Sequence, residues 1–248
     1  MAVRDQRKLI SASDPDALAA TAAGRLLARI GGNSGRIAIC LAGGSSPKRL
    51  YALLASEPRR SKIPWDRVHW FIGDERFVPS TDPLHNMGMA RQIFLDQYAP
   101  CANIHPIPTD GASPDEDARR YERELKSFYG AERLDPARPL FDLVLLGVGP
   151  DGHTASLFPL SPALEERMRW AVGVASAPVA PHVPRITLTF PALCSCREML
   201  FEVAGPDKRA ILTRMLAGEN LPANRAQSIG ETVLLADKDA LPENVGGQ

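Results

Sequence analysis

A chain of 248 residues with 44% apolar side chains can bury a full core, and its length suits a single α/β domain spanning residues 1–248. Lys plus Arg equals Asp plus Glu at 29 each, so no chain-wide positive field exists to draw in a nucleic acid or an anionic membrane. Any anion must be held by a local site.

The opening MAVRDQRKLI lacks the apolar core of a signal peptide, and no apolar run approaches the ~20 residues that span a bilayer, so a cytoplasmic protein is expected. Ser13-Asp14-Pro15-Asp16 reads as a helix start, with a cap, a proline in the first turn and acidic charge at the positive dipole end. Apolar spacing carries that helix to Ile30, where Gly31-Gly32 stops it. RIAICLAGG is a continuous apolar run ending in glycine, as expected of a strand covered on both faces, and a helix over 47–56 follows. VHWFIG at 68–73 and FDLVLLGVG at 141–149 repeat the strand pattern, and WAVGVA, RITLTF and EMLFEVAG add three more. Helical patterns occupy 87–98, 114–129 and 206–217, while the proline-rich stretch 177–184 reads as a surface loop. This alternation predicts a mainly parallel sheet with helices on both faces, and such sheets bind ligands beyond the carboxyl ends of their strands. Of the four cysteines, Cys40 lies in a strand, Cys101 stands alone, and Cys194 and Cys196 are too close for an ordinary zinc pair; all read as reduced and structural.

Four of the loops carry chemistry. In LAGGSSPKRLY, Gly43 and Gly44 free the backbone to approach a ligand, Ser45 and Ser46 sit at a helix start that Ser46 can cap, and Pro47 suits its first turn. That describes a phosphate cradle without the Gly-Lys-Ser/Thr ending of a nucleotide loop; the ordinary alternative is a capped turn. In FIGDERFVP, the charges Asp74, Glu75 and Arg76 stand where a buried strand meets the ligand face, which suits either catalysis or a solvated turn. In LLGVGPDGHTASLFP, the Gly147-x-Gly149-x-x-Gly152 spacing matches a dinucleotide fingerprint, yet the ribose-binding acid about ~20 residues on is missing from WAVGVASAP. What distinguishes the stretch is His153, a side chain able to accept a proton near neutral pH, with Asp151 placed to orient it or to contact a substrate hydroxyl. A histidine that merely caps a helix is the plainer reading. Finally, Arg185 opens RITLTF, and Lys208 follows the glycine turn of AGPDKRAIL, where a cation is unfavourable at a helix start unless it serves an anion.

Together these loops, in order from about Arg36 to Leu216, resemble the 6-phosphogluconolactonase family. The resemblance implies a modified Rossmann-like three-layer α/β/α domain akin to that of glucosamine-6-phosphate deaminases. It also implies hydrolysis of 6-phospho-D-glucono-1,5-lactone to 6-phosphogluconate, with no metal or organic cofactor. The expected partner is the small sugar-phosphate lactone, with no nucleic acid or membrane, and the expected state is a monomer. The family's catalytic histidine falls on His153 as general base, and its arginine on Arg76, for the oxyanion or the phosphate. Ser45, Ser46, Arg185 and Lys208 match positions around the sugar phosphate, alongside the glycines of the cradle. His85-Asn86 departs from a frequent Ser-Asn, so His85 is a candidate to assist, and Leu160 replaces a common glycine. The rival readings are a sugar-phosphate isomerase or deaminase with Asp74 as base, and a non-catalytic sugar-phosphate sensor. A serine hydrolase has no Gly-x-Ser-x-Gly elbow, and nothing in the sequence puts Ser156 in a triad.

Overall fold

The structure, a computed structural model, describes residues 7–243; most of the opening read above for a leader, residues 1–6, lies outside the described residues, as do 244–248. The chain runs through β1 (Lys8–Ala12), α1 (Pro15–Gly31), β2 (Ile37–Leu41), α2 (Ser46–Leu54), β3 (Val68–Ile72) and β4 (Asp74–Arg76). A helical stretch passes from α3 (Asn86–Ala90) through a π-turn at Arg91–Leu95 to α4 (Asp96–Tyr98), and α5 (Pro114–Tyr129) leads to β5 (Leu143–Leu146). Then come β6 (Ala171–Val174), β7 (Arg185–Leu188), α6 (Phe190–Cys194), β8 (Glu198–Val203), α7 (Arg209–Leu216), α8 (Pro222–Arg225) and β9 (Glu231–Asp237).

Local chemistry sets these limits. Asp14 caps α1 by accepting the Ala17 N–H at 2.8 Å, and Ser113 caps α5 by accepting that of Glu116 at 3.2 Å. Along α1, Leu18, Ala22, Leu26 and Ile30 recur at helical spacing and are all buried. Each large member of that stripe contributes roughly 1.5–3 kcal/mol by burial. β2 is buried at every position, which its place between two parallel neighbours requires.

The main sheet has the order β1-β9-β8-β5-β2-β3, and every pairing in it is parallel. Alternation along β3 shows its two covered faces. Trp70 meets Phe94 at 5.2 Å between ring centroids, and Phe94 stacks on Tyr51 of α2 at 5.0 Å. The next residue, Phe71, points the other way, onto Phe128 of α5 at 4.8 Å. Helices therefore flank both sides of the sheet, the three-layer α/β/α arrangement expected from the sequence.

Two of the expected strands belong elsewhere. WAVGVA and RITLTF, as β6 and β7, pair antiparallel with each other, and β7 pairs with β4 in a separate sheet of order β4-β7-β6. The segment between β6 and β7 is too short for a parallel crossover, so those two strands can only turn back on each other. β4 starts one residue beyond β3, which brings this small sheet to the carboxyl end of the large one. The edge strand β1 and the inner strand β9 fall outside the elements expected from the sequence.

Candidate active site

At that junction lies a cavity of about 450 Å³, and Gly43, Gly44, Ser45, Ser46, Asp74, Arg76, His153, Arg185 and Lys208 all line it. Asp151 stands behind His153, outside the lining. His85 does not face the cavity: it is buried, accepts the Gly88 N–H at 3.0 Å and so caps α3, which removes it from the candidates for catalysis.

The loop after β5 places the histidine. The Asp151 carboxylate lies 2.5 Å from His153 Nδ1 and also accepts the backbone N–H of residue 153 at 3.1 Å. An ionised carboxylate only accepts, so Nδ1 carries the ring proton and Nε2 keeps its lone pair. The Phe158 ring packs against the imidazole at 4.7 Å between centroids. Gly149 answers the question raised by the glycine spacing: a Cβ there would lie 2.0 Å from His153 Cε1. Gly149 thus clears room for the imidazole, whereas a Cβ at Gly147 would meet nothing within 4 Å and Gly152 takes a positive φ of 87° against Leu221.

Strand alternation sorts the charged triplet of β4. Asp74 and Arg76 face the cavity, and Glu75 points into the core with no exposed surface. Glu75 accepts backbone N–H groups of Arg76, Asn86 and Met87 at 2.9, 2.6 and 2.9 Å. Burial nevertheless pushes its pKa up to about 8, against the lowering effect of those bonds. Asp74 Oδ2 accepts the Ser156 hydroxyl at 2.6 Å. Arg76 Nη1 donates to the Leu84 carbonyl at 2.8 Å and to Asn86 Oδ1, while its buried Nε meets no partner among the described residues. Nη2 makes no hydrogen bond among the described residues and is the donor left for a ligand. Register sets Arg185 of β7 opposite Arg76, and Arg185 donates to the carbonyls of Pro181 and Val183 at 2.7 and 3.2 Å. Burial, with a contribution from Arg76, pulls the Arg185 pKa down.

The first loop also differs from its expected detail. Ser46 is the first residue of α2 and Ser45 its cap position, with no side-chain capping bond. The N–H groups at this helix start therefore have no serine acceptor and suit an anion. Asn86 reaches over this turn, and a Cβ on Gly43 would lie 2.0 Å from its Oδ1. Among the described residues, Lys208 Nζ has Asp207 as its ion-pair partner, at 3.7 Å.

Several cavity residues escaped the sequence reading. In the sequence Ser156 suggests nothing beyond a nucleophile without a triad, whereas in the structure its hydroxyl holds Asp74. Val179 and Ala180 belong to the proline-rich stretch read as a surface loop, and they form part of the wall. Glu202, an acid inside the apolar run EMLFEVAG, also lines the cavity, and that pattern break was the available signal. Among the described residues, no group of three or more His, Cys, Asp or Glu side chains could hold a metal ion, and no helix is long and apolar enough to cross a membrane.

Residues 13–234 match the family described as glucosamine-6-phosphate isomerases/6-phosphogluconolactonase. The chain is 43% identical over 212 residues to the 6-phosphogluconolactonase of Synechocystis sp., with 83% of this chain and 84% of that protein covered. It is 36% identical over 250 residues to the 6-phosphogluconolactonase of Streptomyces coelicolor, with 95% and 94% covered. Among solved structures, the 6-phosphogluconolactonase of Thermotoga maritima superposes with a TM-score of 0.81 at 29% identity, over 94% of this chain and 100% of that one.

Proposed function

The chain belongs to the glucosamine-6-phosphate isomerase/6-phosphogluconolactonase family, and on that premise we propose that it hydrolyses 6-phospho-D-glucono-1,5-lactone to 6-phospho-D-gluconate in the oxidative pentose phosphate pathway. One observation carries the reading: a histidine held by Asp151 shares a cavity with three cations and an uncapped helix start. With Nδ1 committed to Asp151, Nε2 takes a proton from water as the water oxygen bonds to C1 of the lactone. Charge then develops on the carbonyl oxygen, and Arg76 stabilises it through its unfilled donor. The ring C1–O5 bond breaks, and the imidazolium returns its proton to O5. Such a base contributes roughly 10²- to 10⁴-fold and an oxyanion donor on the order of 10²- to 10³-fold. Asp74, fixed by Ser156, orients the attacking water. The phosphoryl group lies on the turn at residues 43–46, with Lys208 and Arg185 supplying positive charge.

The test is hydrolysis of freshly generated 6-phosphoglucono-1,5-lactone, corrected for spontaneous opening, by the wild type and His153→Ala side by side. A wild-type rate well above background and lost in the variant is the expected result. No rate from either protein would overturn the reading, with glucosamine 6-phosphate as the next substrate. We take the enzyme to act as a cytoplasmic monomer on this small molecule, and sedimentation velocity of the purified protein checks the oligomeric state.

A further inference from the structure

Alternation along β8 puts Glu198, Leu200 and Glu202 on one face. At one end, Glu198 pairs with Arg25 and Arg29 of α1. At the other, Glu202 is 4% exposed and forms part of the cavity wall, and neither of its carboxyl oxygens has a hydrogen-bond partner among the described residues. The same cavity is lined by the turn at residues 43–46 and by Lys208, where the substrate phosphate is placed above.

Nothing packed around Glu202 compensates an ionised carboxylate. From α2 comes Tyr51, whose hydroxyl is bonded to the Ala42 carbonyl at 2.7 Å and whose pKa burial raises well above its ordinary value. Arg25 and Arg29 of α1 are committed to Glu198 and Glu231. β5 carries no charge, and on β9 Asp237 accepts the Gly205 N–H at 3.1 and 3.0 Å. Lys208, Asp74, Arg76, Arg185 and His153, the last held by Asp151, line the same cavity, and none of them bonds Glu202 among the described residues. Burial accordingly pushes the Glu202 pKa up to about 7.

A carboxylate and a phosphate dianion in one poorly solvated cavity repel, whereas a protonated carboxyl leaves the cationic charge to the ligand. We propose that Glu202 makes occupation of the phosphate cradle proton-linked: the phosphoryl group is taken up with Glu202 protonated, and ionisation of Glu202 weakens its hold. The proton comes from solvent, and no covalent bond changes. This inference rests on the sugar-phosphate reading of the cavity.

Calorimetric titration between pH 6.5 and 9, with 6-phosphogluconate and separately with inorganic phosphate, tests it on the wild type and Glu202→Gln. The wild type should lose affinity by up to tenfold per pH unit above about 7 and should take up close to one proton per ligand, read from buffers of different ionisation enthalpy. Glu202→Gln should keep only the ligand's own proton linkage, which the ratio of the two proteins' affinities removes. Should the glutamine variant misfold, Glu202→Leu serves the same comparison. An equal pH slope in wild type and variant overturns the role of Glu202. If phosphate binds with the expected slope but 6-phosphogluconate does not bind, the substrate assignment fails and the linkage stands. Failure of the wild type to bind either ligand overturns both.

Discussion

At the amino end of β8 a buried glutamate is answered by two arginines, one of them 2.5 Å away; four residues on, along the same face, a second buried glutamate has no partner among the described residues. The first lies against α1, outside the lining of the cavity, and the second lies in its wall. The contrast sets, on one face of one strand, a completed ion pair against a carboxyl left without a partner at the cavity. Arg76 Nε repeats the pattern at the open end, as a buried donor waiting for an acceptor. A buried polar group left unsatisfied costs stability, and such sites cluster where a ligand completes them.

Four substitutions sharpen or break that contrast. His153→Ala, at the open end, should lower kcat by roughly 10²- to 10⁴-fold with little change in the urea midpoint. Glu198→Ala, at the closed end, should do the reverse. Removing it leaves two partly exposed arginines with Glu231 alone, so unfolding free energy should fall by about 1–2 kcal/mol while activity per folded molecule is kept; a kinetic loss in the folded fraction would erase the distinction. Lys208→Ala should raise KM for the phosphorylated lactone roughly ten- to a hundredfold and leave plain gluconolactone nearly unaffected. Equal losses on both substrates would remove Lys208 from the phosphate site.

The smallest expected effect runs against intuition. Because the folded Glu202 pKa of about 7 lies above the ordinary carboxylate value, the native state holds this proton longer than the unfolded chain does. Its share of stability is therefore present at low pH and is lost as pH rises from about 4.5 to about 7. Glu202→Gln cannot ionise. It should match the wild type in a pH 4 melt and exceed it at pH 8 by on the order of 2 kcal/mol. A variant less stable at both pH values would mean that Glu202 is satisfied after all.

Much of this was legible in the sequence, and the physical reasons are specific. Continuous apolar runs such as Ile37–Leu41 and Leu143–Leu146 announced strands of a parallel sheet, because only burial on both faces permits them. Residues 43–46, Asp74, Arg76, His153 and Lys208 come from the segments just beyond such strands, where the topology of a parallel sheet delivers them, while Arg185 comes from the small antiparallel sheet. The small sheet was hidden because three-residue β4 has no periodicity to read, and β6 and β7 look like any other apolar strand until their connection length is weighed. Ser46 illustrates another limit: capping depends on backbone angles one residue either side, which composition does not carry. Glu202 was visible as a letter but not as a problem, since two acids in one apolar strand show their different fates only when the arginines of α1 are seen to reach one of them.

Asn86 ties two of these loops into one mechanical unit. Its side chain accepts from Arg76, donates to the Asp74 carbonyl at 2.9 Å, and lies so close to residue 43 that a methyl group there would collide with it. A shift of the turn at residues 43–46 is thereby passed through Asn86 to the Arg76 guanidinium. Gly43→Ala should register as a displaced Arg76 and a slower chemical step, a lesion seated at one end of the substrate and felt at the other.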